Sequence, residues 1–169
     1  MAERLSLRDY QRALAERLRE AGAGRIASKL GVQVGTETWL VDLKDAGEVI
    51  PVPPVSPVPL TRAWFKGVAN VRGNLYSVID FPAFLGVGAV ALGESSRLLL
   101  LGDRFRTAAA LLIDRSLGLR NPDELKPRAA AEAPAWQSGV FEDREGKMWK
   151  ELDVPQLVRH TDFLSVSAA

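Results

Sequence analysis

The sequence predicts an all-β protein: two small β-barrels side by side, with a helix at the N-terminus and short connecting helices. Three observations carry this. Strand–turn–strand patterns recur along the chain, separated by glycine- and proline-rich punctuation. Two stretches about 72 positions apart resemble each other, Leu40-Val41-Asp42 against Leu112-Ile113-Asp114 for example. Few short strands bury a core as a flat sheet, whereas closing each set into a barrel removes free edges and creates an interior.

The elements follow in order. Leu7, Tyr10, Leu14, Leu18 and Ala21 recur at helical spacing and form one stripe, with Arg8, Arg12, Glu16 and Arg19 on the other face. Ser6 and Asp9 resemble a capping box, and Gly22 and Gly24 stop the helix. Residues 1–24 are therefore a helical extension, and residues 25–169 carry the β domain. Leu30, Val32 and Val34 then alternate with small or polar residues, Gly35-Thr36 turns the chain, and Trp39, Val41 and Leu43 alternate again, giving a hairpin. The prolines at 51, 53, 54, 57 and 59 lack the N–H that a ladder needs, which predicts an extended polyproline II stretch. A PxxP ligand is the functional alternative there; a buried crossing segment is favoured, because Val and Leu fill the other positions.

The sharpest local pattern runs from Gly67 to Val71 and from Leu75 to Asp80, flanking Arg72-Gly73-Asn74 as a tight turn. Phe81 to Leu85 reads as one helical turn ended by Gly86, and residues 86–96 as a small-residue, flexible loop. Arg97–Leu101 and Phe105–Asp114 read as a second hairpin of this kind, residues 121–134 as a Pro- and Ala-rich loop, and Trp136–Phe141 with Met148–Leu152 as a third. Asp153 caps a short helix that begins Val154-Pro155. The repeat extends through these elements. Gly67-Val68 matches Gly139-Val140, and Arg72 matches Arg144. After one inserted residue, Leu75-Tyr76 matches Met148-Trp149, Ile79-Asp80 matches Leu152-Asp153, and Pro82 to Leu85 matches Pro155 to Val158.

Composition narrows the function classes. Lys plus Arg total 22 and Asp plus Glu 21, a net charge of +1, which argues against a nucleic-acid or anionic-membrane partner. The chain has no cysteine, so disulfides and thiolate chemistry are excluded, and one histidine, His160, so a histidine-rich metal cluster is excluded too. The longest Gly-free apolar run, Ala108 to Ile113, is far short of the ~20 residues of a membrane span. The first residues lack a signal-peptide core. An intracellular, non-enzymatic protein without a cofactor is the expectation.

Residues that carry chemistry elsewhere read as structural here. Gly22-Ala23-Gly24-Arg25-Ile26-Ala27 matches a loose dinucleotide pattern but follows a helix rather than a strand. Asp42, Asp80, Asp114 and Asp153 sit at strand or hairpin ends, where Asp caps backbone N–H groups. The tryptophans at 39, 64, 136 and 149 read as core, and His160 as a helix-terminal residue suited to the dipole.

Residues 67–81, Gly-Val-Ala-Asn-Val-Arg-Gly-Asn-Leu-Tyr-Ser-Val-Ile-Asp-Phe, resemble the G-V-x-N-L-R-G … P-V-I-D-L core of CheW-like chemotaxis coupling proteins. Trp39 to Leu43 and Ala46 to Ile50 resemble that family's strand and its V-x-E-[IV] segment, Leu111 to Arg115 its later strand, and Gly139-Val140 with Leu152-Asp153 its closing hairpin. The likeness covers about residues 26–166, and the run from Trp64 to Gly73 is similar to PilI-type members, which serve type IV pilus twitching motility. The resemblance implies two five-stranded barrels and an adaptor rather than an enzyme. It implies as partners the cytoplasmic tip of a chemoreceptor and the regulatory domain of a CheA-like histidine kinase, within cytoplasmic arrays at the inner membrane. Carried onto this chain, the partner-binding residues are Arg72 with Asn70, Val71, Gly73 and Asn74 beside it, and Glu48 with Ala46 and Val49. Two positions depart from the family pattern: Ala46 replaces a larger apolar residue, trimming a receptor-facing contact, and Ser77 replaces a proline. A flagellar pathway, a barrel-type nucleic-acid or glycan module, and a hydrolase with paired carboxylates are the competing readings.

Overall fold

The computed structural model describes residues 28–168. The helix expected over residues 7–21, and the glycine pattern at 22–27, lie outside the described residues. The strands are β1 (Lys29–Val34), β2 (Glu37–Asp42), β3 (Ala46–Pro51), β4 (Val55–Ser56), β5 (Phe65–Val71), β6 (Asn74–Asp80), β7 (Arg97–Leu101), β8 (Ala109–Ile113), β9 (Arg115–Arg120), β10 (Lys126–Arg128), β11 (Gln137–Glu142) and β12 (Met148–Leu152). Three short helices accompany them: α1 (Phe81–Leu85), α2 (Val154–Arg159) and α3 (Thr161–Leu164).

The strands form two six-stranded sheets, ordered β10-β11-β12-β2-β1-β9 and β3-β7-β8-β6-β5-β4. Read from β4 and from β10, the two orders correspond strand for strand. Each contains one parallel pair, β12 with β2 and β6 with β8, among antiparallel ones. The repeat is therefore real, but its halves are interlaced: β1 and β2 join β9–β12, while β7 and β8 join β3–β6. Each sheet counts six strands rather than five because the short edge strands β4 and β10 add to the set. The ladders do not run full circle; in each sheet the first and last strands are edges.

Three apolar clusters explain the layering. The largest lies between the sheets, with Val32, Val34, Trp39 and Val41 from one and Ile79, Leu99, Leu111 and Ile113 from the other. A second fills the curve of the β3–β8 sheet with Val71, Val78, Leu98, Leu100 and Leu112, and a third fills its counterpart with Leu40, Leu125 and Trp149. Strands β7 and β8 send alternate side chains into two of these clusters. That is why Leu98–Leu101 and Ala109–Ile113 are continuously apolar rather than alternating.

All four aspartates cap backbone, as expected. Asp42 accepts from the Lys44 N–H (3.1 Å) and Asp153 from the Gln156 N–H (3.0 Å). Asp114 accepts from the Gly35 N–H (2.6 Å), tying the end of β8 to the β1–β2 turn. Asp80, fully buried, accepts from the Ala83 N–H (3.1 Å) and the Val90 N–H (3.2 Å). This pins the 86–96 segment to α1, so the segment expected to be flexible is tethered. Trp39, Trp136 and Trp149 are buried and Trp64 packs against the central cluster.

Other readings are corrected in detail. The proline-rich stretch is extended, but it contributes β3 up to Pro51 and the two-residue β4. Pro51 is tolerated because β3 is an edge strand. The strand expected from Phe105 begins only at Ala109, because a 3₁₀ turn over Asp103–Phe105 and Arg106 at φ +50° break it. The 121–134 loop contains β10, and β9 carried no recognised pattern. His160 ends α2 as expected, and its Nδ1 also lies 3.2 Å from the Asp162 N–H, capping the start of α3.

Candidate functional site

The site is built on the β5–β6 hairpin, whose register pairs Val71 with Asn74 across a two-residue turn. Arg72 sits at φ +52° and Gly73 at φ +86°, the twist that matches two right-handed strands. A left-handed arginine is uncommon. It is held here by Asn70, whose Oδ1 accepts the Gly73 N–H at 2.8 Å. The turn thus fixes where the Arg72 side chain leaves the backbone.

Arg72 reaches Glu48 on β3. Its Nη1 donates to Oε2 and its Nη2 to Oε1, both at 2.7 Å, a bidentate pair. Three strands separate β3 from β5 in the sheet order. In a flat sheet they would lie about 19 Å apart. The pair therefore reports a strong curl: side chains bridge the mouth that the backbone ladder leaves open. The Arg72 hydrogen bonds hold the Glu48 carboxyl below its ordinary value, and Glu48 raises Arg72. The Arg72 side chain remains 70% exposed and that of Glu48 44%, so the pair contributes little to stability and stays accessible to solvent.

A polar groove of about 350 Å³ runs beneath the pair, lined by Glu48, Val71, Arg72, Asn74, Tyr76 and Asp103 among others. Of the residues singled out in the sequence, Glu48, Val71, Arg72 and Asn74 come together there, and Asn70 and Gly73 shape the turn. Ala46 and Val49 do not join them; they pair with Leu101 and Leu99 and pack against the inter-sheet core. Their apolar character is accounted for by that packing. Tyr76 and Asp103 were not singled out. Tyr76 follows Asn74 by two positions, so strand alternation places it on the same face.

The groove offers a guanidinium, two carboxylates, an amide and a phenol. Among the described residues there is no group of three or more His, Asp or Glu side chains arranged to hold a metal ion, and no helix long and apolar enough to cross a membrane. His160 lies apart from the groove, edge-on to Trp136 at 4.6 Å between ring centres.

Comparison with known proteins agrees with this architecture. Protein PilI of Pseudomonas aeruginosa is 30% identical over 146 residues, covering 83% of this chain and 80% of that protein. Protein FrzA of Myxococcus xanthus is 32% identical over 91 residues, 52% of this chain and 56% of that one. The crystal structure of the scaffolding protein TtCheW from Thermoanaerobacter tengcongensis superposes with a TM-score of 0.67 at 20% identity, covering 80% of this chain and 94% of that one, a likeness of fold. The CheW-like domain family matches residues 29–162, from the start of β1 to the start of α3. Interlaced sheets, curled hairpin and family match agree: the chain belongs to the CheW-like domain family.

Proposed function

We propose that this chain is a non-catalytic adaptor that couples the cytoplasmic tip of a chemoreceptor to the regulatory domain of a CheA-like histidine kinase. The array in question is a cytoplasmic one, at the inner membrane, that controls type IV pilus motility. Family membership and the likeness to PilI support the class of role. The observation that carries the site is the exposed bidentate pair between Arg72 and Glu48, held on a rigid two-residue turn over a polar groove. A planar guanidinium fixed by its own backbone offers directional recognition of carboxylates with little ordering cost. Coupling then follows from thermodynamics: a chain that touches two partners links their binding free energies, and an array makes weak contacts effective through local concentration.

The test is a titration of the chain against a receptor-tip fragment and the kinase regulatory domain. Arg72→Ala is expected to weaken at least one of them about ten- to a hundredfold, while the melting temperature is unchanged. The exchanged pair Arg72→Glu with Glu48→Arg separates two roles. Recovery of binding means that the pair braces the hairpin; continued loss means that Arg72 itself touches a partner carboxylate. Undiminished affinity of Arg72→Ala for both partners refutes the site.

A further inference from the structure

An adaptor needs two surfaces that its partners can occupy at once. The groove under Arg72 and Glu48 is one. Strand β4 leads away from it: Val55 lies opposite Ala69 and Ser56 opposite Val68, toward the start of β5. The chain then continues through Pro57 to Leu60, so β5, about 20 Å long, lies between Leu60 and Arg72.

Leu60 stands out on two counts. Its φ is +58°, a left-handed backbone that glycine and asparagine adopt easily and leucine does not. It is also 83% exposed, the most of any large apolar residue among the described residues. The surrounding frame imposes the conformation. The Leu60 carbonyl accepts the Ala168 N–H at 2.9 Å, the Arg62 N–H donates to the Val166 carbonyl at 2.8 Å, and Thr61 bridges Ser167 between them. The Thr61 hydroxyl donates to the Val58 carbonyl at 2.8 Å, and Pro57 and Pro59 stiffen the approach. For the fold alone such a leucine is unfavourable twice over, as strained backbone and as apolar surface in water. For binding it is a preformed apolar knob, with partly exposed Val58 two residues before it and little left to order.

Charge indicates what receives the knob. Between Glu48 and Asp80 the sequence has no acidic residue, and Arg62, two positions after Leu60, is exposed. Lys66 in the same stretch leans toward buried Asp80 at 3.6 Å. Leu60 and Arg62 together complement an apolar pocket with carboxylates on its rim. A knob needs a concavity, which a folded domain provides and a projecting tip does not.

We propose that Leu60, with Arg62, is a second contact surface of this chain, seated in an apolar, acid-rimmed pocket of the kinase regulatory domain, and that the Arg72 groove serves the receptor tip. This rests on the adaptor reading above and adds that the two partners use opposite ends of β5.

The test titrates the full chain separately against the kinase regulatory domain and the receptor-tip fragment. Leu60→Asn is expected to weaken kinase-domain binding about tenfold or more and to leave receptor-tip binding unchanged. Its melting temperature should rise by about 2 °C or more, because asparagine tolerates the left-handed backbone. Leu60→Met, which keeps an apolar side chain, should bind like the parent, and Arg62→Glu should weaken the kinase domain alone. Parent-like kinase binding by Leu60→Asn overturns the proposal while the adaptor reading stands, and so does a loss confined to the receptor tip. A lowered melting temperature would make the leucine structural and overturns it as well. A parent that binds neither fragment refutes both readings. A parent that sediments as a dimer, and as a monomer once Leu60→Asn is introduced, assigns the knob to a second copy and overturns the proposal.

Discussion

The two hairpin tips related by the repeat, β5–β6 and β11–β12, share a place in their sheets and differ in what their charged residues do. At the first, Arg72 extends to Glu48 on edge strand β3 and leaves an exposed bidentate pair over a groove. At the second, the counterpart Arg144 is 75% exposed and comes no closer than 3.6 Å to Glu124. The position matching Glu48 is Arg120, which lies 4.8 Å over the Trp149 ring and donates to the Leu117 carbonyl. The polar work of the second tip is internal. Asp143 accepts from the N–H groups of Glu145 and Lys147 and from the Trp149 indole, and the indole hydrogen bond is the main cause holding its carboxyl below the ordinary value. One scaffold thus carries two tips: one turned outward with an exposed ion pair, the other inward as a structural clasp. Function belongs to side chains placed on the fold, not to the fold itself.

The largest expected effect breaks the inward tip. Trp149 is fully buried, so Trp149→Ala should cost about 3–5 kcal/mol by chemical denaturation. Its repeat counterpart Tyr76 is only half-buried, and Tyr76→Ala should cost clearly less. Equal losses at the two would show that the hairpins carry equal structural weight and defeat the distinction.

Next come the glycines that open the two hairpins. Gly67 has φ +131°, and a Cβ there would collide with the Ser56 carbonyl oxygen of β4, a backbone atom that cannot step aside. Gly67→Ala should lose about 3 kcal/mol or more. At Gly139 a Cβ would meet side chains alone, the Phe141 ring at 3.1 Å and Glu151 Oε2 at 3.7 Å, and the cost should be about 1 kcal/mol. A melting experiment on the two variants ranks them; the reverse order would be incompatible with the described backbone.

A smaller contrast separates Asp80 from Asp153. Both cap a helix, but Asp80 is fully buried and also holds the Val90 N–H. Asp80→Ala should cost about 2–3 kcal/mol, and Asp153→Ala about 1 kcal/mol. Amide exchange at Val90 should accelerate in the first variant alone. Acceleration in both, or in neither, would separate the tether from Asp80.

The smallest effect concerns pH. Glu48 is held below its ordinary value in the folded chain, so the pair with Arg72 is fully present above the usual glutamate range. It is lost as pH falls through the lowered value of Glu48, not near neutrality. Carboxyl NMR of Glu48 should follow that course, and Arg72→Ala should return the group toward its ordinary range. A Glu48 titration unaffected by Arg72→Ala would mean that the pair does not persist in solution.

Much of this was legible beforehand. Hairpins with strict alternation and a glycine turn announced themselves. So did both Asp-x-Pro helix starts and the Gly86 stop, because these signals are local and steric. β9 and β10 were not, because Arg-Ser-Leu-Gly-Leu-Arg and Lys-Pro-Arg are short edge segments with little apolar pattern. At the site, Arg72 and Glu48 were each singled out, yet nothing in their 24-residue separation states that they meet.

From the amino-acid sequence alone came the all-β class, the repeat, the four capping aspartates and the family motif, since each depends on neighbours within a few residues or on direct likeness. Tertiary structure decided how the two halves exchange strands, which apolar residues of the V-x-E-[IV] segment turn inward, and that curl brings β3 to the β5–β6 tip. The reason is physical: alternation assigns a side chain to a face, but only the packing of one sheet on the other chooses which face is core and how far each sheet must bend to enclose it.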